Sequence, residues 1–216
     1  MKLILVADPM CSWCYGFGKE LSTLQERHPE LPIEIRVGGV RAGDTAVLDD
    51  EMKRFRLRHW SRVESLSGLP FNREAFMALR GFVYDTEPVC RAVVAVRKLA
   101  PAIDQLRVFR AFQHAFYAEG RDTTSGAVLS EIGAAAISEQ GVAVSSAEFL
   151  AMWSAPATVA ETAADFKLVR SWGINSFPAL VLEQAGQLKL VAPGYTSFAE
   201  LEERLAPLLE AQPSAA

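Results

Sequence analysis

The chain has 216 residues and a formal net charge of -4, with 22 Lys and Arg against 26 Asp and Glu. Hydrophobic residues make up 50% of it and charged residues 22%, which is typical of a globular domain with a sizeable core. The mildly acidic balance gives no electrostatic reason to expect nucleic acid or an anionic membrane as a partner. Three cysteines in a chain of this length exclude a small disulfide-rich scaffold.

The first apolar run is short. Met1–Val6 contains one lysine and is soon followed by Asp8 and Pro9, so it is too short for the hydrophobic region of a signal peptide. No other run approaches the roughly 18 apolar residues of a membrane span. We therefore expect a cytoplasmic protein, in which paired cysteines are more often catalytic or metal-bound than structural.

The N-terminal part of the chain predicts a strand, a helix and a second strand. Lys2–Ala7 is a nearly continuous apolar run, typical of a strand buried on both faces. Helical spacing of apolar residues follows over 14–28 and stops at Pro29. Ile33–Val37 alternates apolar and charged residues before a Gly-Gly turn. This order indicates a βαβ unit.

The middle of the chain predicts helices throughout. Apolar stripes at helical spacing occur in two segments, one with Val89, Val93, Val96 and Leu99, the other with Leu106, Phe109, Phe112 and Phe116. Two capping-box patterns predict further helix starts, Ser145 with Glu148 and Thr158 with Glu161. The helix that begins at Thr158 is predicted to end at Gly173.

The C-terminal part predicts a β-hairpin and a helix. Two short apolar-rich runs, Ala179–Leu182 and Gln187–Val191, are joined by a turn that contains Gly186. Phe198–Leu209 places its apolar residues on one helical face, and residues 211–216 are expected to be disordered. The predicted order is βαβ, a helical block and ββα.

The segment Cys11-Ser12-Trp13-Cys14 carries the main chemical signal. It follows the first strand and opens the first helix, where unpaired N–H groups favour the thiolate form of Cys11 over the thiol. Cys14 lies one turn later and can reach the sulfur of Cys11. The inferred chemistry is thiol-disulfide exchange, with Cys11 attacking and Cys14 resolving the mixed disulfide.

Other residues leave alternatives open. Half of a zinc site is the competing interpretation of the cysteine pair, but the chain offers no second C-x-x-C, so we predict no metal. Asp8 is either a proton relay for Cys14 or a cap of the following helix. Cys90 lies beside an apolar helical stripe and is predicted to be a small buried residue rather than a second redox partner.

A basic segment precedes the middle of the chain. It consists of Lys53, Arg54, Arg56, Arg58 and Arg62. The favoured interpretation is a solvated helix face; the functional alternative is recognition of an acidic substrate such as glutathione. His59 and His114 lie beside aromatic residues in the sequence and are predicted to be core or boundary residues.

The cysteine pair after a strand, the helical block and Phe177-Pro178 before the last strands resemble the thioredoxin superfamily, specifically its DsbA-like branch. Residues 8–14 are similar to cytoplasmic protein-disulfide isomerases and FrnE-like members. The resemblance implies an α/β thioredoxin fold over 1–42 and 166–216, with an inserted helical domain over 43–165. It also implies a cis peptide bond at Pro178, which faces the cysteines, and a backbone contact from Phe177 to substrate.

This resemblance implies a thiol-disulfide oxidoreductase acting on protein or peptide disulfides, with Ser12 and Trp13 also contacting substrate. No bound cofactor is expected beyond the redox-active Cys11–Cys14 disulfide, with glutathione as a candidate co-substrate. Because cytosolic glutathione keeps most dithiols reduced, reduction or isomerisation is favoured over oxidation. Two alternatives remain: a glutathione-dependent kappa-type transferase or 2-hydroxychromene-2-carboxylate isomerase, and a non-catalytic peptide-binding or chaperone module.

Overall fold

The computed structural model describes residues 1–210. Its strands are β1 Lys2–Ala7, β2 Ile33–Val37, β3 Ala179–Gln184 and β4 Gln187–Ala192. Its helices are α1 Ser12–Arg27, α2 Asp50–Ser67, α3 Arg73–Ala78, α4 Glu87–Leu99, α5 Gln105–Tyr117, α6 Gly126–Ser138, α7 Ser146–Ser154, α8 Pro156–Ser171 and α9 Phe198–Glu210. The order is the predicted βαβ, helical block and ββα. The prediction of disorder over 211–216 lies outside the described residues.

The strands form one sheet in the order β2-β1-β3-β4. β1 and β2 are parallel, with Leu5 opposite Ile35, as the predicted βαβ unit requires. β3 pairs antiparallel with β1, placing Leu180 opposite Leu5, and β4 pairs antiparallel with β3. β1 therefore lies inside the sheet, and its end carries Asp8 and the cysteine pair to the centre of one sheet edge.

Both faces of β1 are covered, which explains its continuous apolar sequence. Leu3 and Leu5 belong to the main core, while Ile4 and Val6 pack in a second cluster with Val169 of α8. The main core continues from the sheet into the helical block without a break. The sheet and the helices therefore support each other across the start of α1.

An aromatic cluster joins α1 to the helical block. The ring of Trp60 lies 4.5 Å from that of Phe76, 5.2 Å from Phe71 and 5.1 Å from Tyr117, measured between centroids. Tyr15 of α1 stacks on Tyr117, with centroids 4.8 Å apart and planes inclined by 13°. Such aromatic contacts contribute beyond the area that they bury, so the helix that begins at the cysteine pair is anchored on the helical block.

One of the two predicted capping boxes is confirmed and the other is wrong. The Ser145 and Glu148 side chains bond each other's backbone N–H at the start of α7. α8, however, starts at Pro156 and not at Thr158, since proline is favoured at the first helical position. Thr158 is buried within the first turn, and the carboxylate of Glu161 pairs with basic side chains of α4. α8 ends before Gly173, as predicted.

The predicted division of the chain is not sharply marked in the structure. The second predicted boundary, between residues 165 and 166, falls inside α8, and one core spans both predicted parts. The two-domain description therefore stays a prediction. No helix over residues 1–210 is both long and apolar enough to cross a membrane.

Candidate active site

Cys11 and Cys14 lie at the junction of β1 and α1. Cys11 is the N-cap residue of α1, with φ -86° and ψ 116°, and its side chain makes no capping hydrogen bond. It is partly exposed, whereas Cys14 is 2% exposed. Both are free thiols in this structure. A substrate can therefore approach the sulfur of Cys11 from solvent, but not the sulfur of Cys14.

The loop before β3 faces Cys11. The Phe177–Pro178 peptide bond is cis, as the resemblance implied. The Cys11 thiol donates to the carbonyl oxygen of Phe177 over 3.7 Å. The Phe177 ring covers Gly38, where an added Cβ atom would meet the ring at 2.2 Å. Gly38 thus allows this loop to approach the end of β2 closely and to place the Phe177 carbonyl beside the cysteine.

The carboxyl group of Asp8 is completely buried and held by four donors. The Met10 N–H donates to Oδ1 over 2.8 Å, and the Val40 N–H donates to Oδ2 over 2.7 Å. The Thr86 hydroxyl is the third donor, and the Cys90 thiol, 3.6 Å from Oδ2, is the fourth. Burial raises the pKa of Asp8 to about 6, although these hydrogen bonds oppose the rise. A carboxyl group that titrates near neutral pH is suited to proton transfer.

Cys14 needs a base before it can react. Burial raises the pKa of its thiol well above the ordinary range, and hydrogen bonding to Cys11 and the charge of Asp8 raise it further. The attacking species in disulfide exchange is the thiolate. Asp8 is buried, it titrates near neutral pH, and its charge raises the pKa of Cys14, so the proton relay remains a hypothesis for this residue.

Cys90 is buried in α4, as its sequence context suggested, but it is also connected to the candidate site. Its thiol faces the Asp8 carboxylate, 82 positions away in the chain. Burial, followed by the charge of Asp8, raises the pKa of Cys90 well above the ordinary range. Cys90 is therefore a neutral hydrogen-bond donor to Asp8, which the sequence did not indicate.

Two tyrosines hold the residue that precedes Cys11. The hydroxyls of Tyr84 and Tyr117 both donate to the Met10 carbonyl oxygen over 2.5 Å. Tyr117 belongs to α5 and Tyr84 precedes α4, so two separate segments of the helical block converge on one backbone group. The sequence gives no local signal for this convergence, because neither tyrosine stands in a motif.

We expect the double variant Tyr84→Phe with Tyr117→Phe to lose about 1–3 kcal/mol of unfolding free energy beyond the sum of the two single variants. Either tyrosine alone still bonds the Met10 carbonyl, whereas the double variant leaves that buried acceptor without a partner. Denaturant unfolding of all three variants measures the excess. Tyr15→Phe is the control, because it removes from the same aromatic cluster a hydroxyl that donates to a different carbonyl, that of Pro70. If the loss of unfolding free energy in the double variant equals the sum of the losses in the two single variants, the prediction is contradicted.

A pocket of about 200 Å³ opens beside Cys11 and Ser12. Its wall includes Arg41 and, from the predicted basic segment, Arg56. The prediction of a solvated face is wrong for Lys53, which is 2% exposed and donates to the backbone carbonyls of Met77 and Leu79. The buried ammonium ends α3 by binding carbonyls that the short helix leaves unpaired.

The remaining predicted residues surround Cys11 or lie away from it. Trp13 is partly buried, with its ring 6.1 Å from that of Tyr195 and 5.6 Å from the guanidinium of Arg62. His59 and His114 are exposed, so their prediction as core or boundary residues is wrong. The aromatic neighbours of His59 along α2 include Phe55, which itself faces solvent.

Metal chemistry gains no support from the described part of the chain. Residues 1–210 contain no group of three or more His, Cys, Asp or Glu side chains placed to hold a metal ion.

Comparison with known proteins finds matches that extend over nearly the whole chain. The family model of the DSBA-like thioredoxin domain matches residues 2–206. The structure of a candidate protein disulfide isomerase from Nitrosomonas europaea is 31% identical, with a TM-score of 0.84 over 99% of this chain and 100% of that one. The match confirms the predicted thioredoxin fold with a helical insertion. No curated protein matches the chain.

Two further solved structures are similar to this chain at lower sequence identity. The cytosolic disulfide reductase DsbM from Pseudomonas aeruginosa is 25% identical, with a TM-score of 0.79 over 98% of this chain and 100% of that one. The same reductase has also been solved with GSH. A 2-hydroxychromene-2-carboxylate isomerase is 15% identical over 97% of each chain, with a TM-score of 0.64, and shares the fold.

Proposed function

Because the chain belongs to the DSBA-like thioredoxin domain family, we propose that it is a thiol-disulfide oxidoreductase that reduces or isomerises protein disulfides in the cytoplasm through Cys11 and Cys14. The observation that carries this proposal is the difference in exposure between the two sulfurs. Cys11 is partly exposed beside the Phe177 carbonyl, whereas Cys14 is buried one turn later. This asymmetry suits exchange through a mixed disulfide, with the exposed sulfur for the substrate and the buried one for resolution.

The reaction proceeds in two exchanges. The Cys11 thiolate attacks a substrate disulfide, so that a Cys11–substrate bond forms and the first substrate sulfur leaves as a thiolate that takes a proton. Cys14 then gives its proton to Asp8 and attacks the Cys11 sulfur. The second substrate thiolate leaves, and two electrons have passed to the substrate while Cys11 and Cys14 form a disulfide.

Glutathione is the proposed source of electrons for the next cycle. One glutathione thiolate attacks the Cys11–Cys14 disulfide, and a second releases the free dithiol together with glutathione disulfide. Two findings support the reducing direction and the compartment. The similar DsbM is described as a cytosolic disulfide reductase and has been solved with GSH, and the dipeptide between the cysteines, Ser12-Trp13, supplies no imidazole.

A redox titration tests the direction. The Cys11/Cys14 pair is equilibrated with glutathione buffers, trapped by alkylation and quantified by mass. We expect a midpoint potential of about -270 mV, in the range of a reductant, and a midpoint of about -120 mV would contradict the proposal. Cys90→Ala is the matched variant, because it removes the third thiol from the mass count and leaves the reacting pair in place.

A further inference from the structure

The pocket beside Cys11 contains positive charge that the protein does not neutralise. Arg41, Arg56 and His59 all line it. Within residues 1–210, neither arginine forms an ion pair with a carboxylate, while Arg54 on the same helix pairs with Asp50 over 3.8 Å. The chain as a whole is acidic, so this charge is a local property of the surface around the nucleophile.

The guanidinium of Arg56 has a defined position. It lies 4.7 Å above the centroid of the Tyr84 ring, and its Nη1 donates to the Met52 carbonyl over 3.3 Å. The hydroxyl of the same Tyr84 donates to the carbonyl of Met10, the residue before Cys11. A cation stacked on an aromatic ring is held with little loss of its donors. Tyr84 therefore links the position of this cation to the position of the nucleophile.

Arg41 and Arg56 repel each other in the absence of an anion. Burial lowers the pKa of Arg56, and the charge of Arg41 lowers it further; Asp44 acts in the opposite direction but does not contact the guanidinium. The carboxylate of Asp44 instead accepts from the Ala46 N–H over 3.1 Å. Arg41 is exposed and Arg56 is partly buried. The repulsion between their charges falls when a ligand brings a carboxylate between them, and an arginine binds a carboxylate with two parallel hydrogen bonds.

We propose that Arg41 and Arg56 form a subsite for a carboxylate carried by the substrate close to its reacting sulfur. The inference rests on the proposed function and adds a substrate preference to it. The exposed side chains of Val40 and Phe55 flank the subsite and contact the apolar part of the same substrate. Two sources provide this chemistry: an acidic side chain next to the cysteine of a polypeptide, and the glycine carboxylate of glutathione.

The test uses matched disulfides. One pair consists of peptide disulfides that differ only in Glu or Gln beside the cysteine, and the other of glutathione disulfide and its glycine ethyl ester. In each pair, we expect the wild-type protein to show a kcat/KM about tenfold or more higher for the carboxylate form than for the neutral form. The difference should come from a lower KM for the carboxylate form. Arg56→Gln and Arg41→Gln should remove this preference, and circular dichroism with thermal unfolding checks that both variants are folded.

Arg54→Gln is the matched control, because it removes the same charge from the same helix outside the pocket. Preference for both carboxylate forms supports a general subsite, and preference for one member only identifies the source. Equal rates for all four disulfides with the wild-type protein would overturn the subsite while leaving the proposed function intact. An equal loss of preference in Arg54→Gln would also overturn it, since the effect would then be long-range attraction. Absence of any exchange in the wild-type protein would instead refute the proposed function.

Discussion

Cys14→Ser is expected to accumulate a covalent complex between Cys11 and a disulfide-containing protein substrate, and Cys11→Ser is expected to form none. The partly exposed Cys11 can form the mixed disulfide without its partner, because the first exchange needs only one thiolate. The buried Cys14 is needed for the second exchange. Both variants should lose turnover by roughly a thousandfold or more, since the two sulfurs act as a unit.

Mass spectrometry under non-reducing conditions measures the complex. The expected mass is one protein plus one substrate chain, and dithiothreitol should return it to the mass of the free protein. Cys90→Ser is the matched control, because it makes the same substitution at a thiol outside the reacting pair and keeps a hydroxyl near Asp8. A complex formed by Cys11→Ser and not by Cys14→Ser would reverse the roles of the two cysteines.

The same variants separate the proposed function from its alternatives. A glutathione transferase or isomerase on this fold needs one activating group at the start of α1, so its activity would survive Cys14→Ser. A peptide-binding or chaperone module would still suppress aggregation of a client protein when both cysteines are replaced. The proposed oxidoreductase, in contrast, loses its exchange activity in Cys14→Ser and all redox function when both cysteines are replaced.

The parts of the fold that local pattern controls could be predicted from the sequence. The period of apolar residues is set within one element, so the buried strand Lys2–Ala7, the alternating strand Ile33–Val37 and the hairpin with Gly186 appear at their predicted places. The start of α8 was missed because two local signals competed. Proline at 156 begins the helix two residues before Thr158, where the capping pattern placed its start.

The contacts around the candidate site come from the packing of distant segments. Thr86 and Cys90 stand four residues apart at the start of α4 and therefore share a helix face, a spacing that was visible in the sequence. That this face meets Asp8 depends on how α4 packs against the sheet, which no local period encodes. The convergence of Tyr84 and Tyr117 on Met10 is of the same kind, and so is the burial of Lys53.

Asp8→Asn is expected to slow resolution of the mixed disulfide by roughly 10²-fold or more at pH 7, the range of a general base. In the wild-type protein the resolution rate should rise with pH through an inflection near the Asp8 pKa of about 6, because only the carboxylate can accept the Cys14 proton. The variant should lose this inflection. Stopped-flow measurement of the second exchange, started from a preformed Cys11 mixed disulfide, follows this step alone.

Thr86→Val provides a control for which we expect the inflection of the resolution rate to shift to higher pH. Among the interactions that lower the pKa of Asp8, the one with the Thr86 hydroxyl has the largest effect, larger than that of the Cys90 thiol. Both Thr86→Val and Cys90→Ala should therefore move the inflection of the rate to higher pH, Thr86→Val further than Cys90→Ala. An inflection that stays in place in both variants, or persists in Asp8→Asn, would show that another group accepts the proton.

Stability gives a second measure of Asp8 that does not depend on catalysis. Its pKa rises from an ordinary 3.8 to about 6 on folding, so between these values the native state holds a proton that the unfolded state has lost. The contribution of Asp8 to the unfolding free energy is therefore fully present below about pH 4. It decreases as the pH rises to 6, by about 3 kcal/mol in all. Asp8→Asn does not titrate there, so its unfolding free energy relative to wild type should increase by that amount between pH 4 and 7. A difference between the two proteins that does not change with pH would mean that folding does not raise the pKa of Asp8, and the inflection near pH 6 in the resolution rate would then have to come from another group.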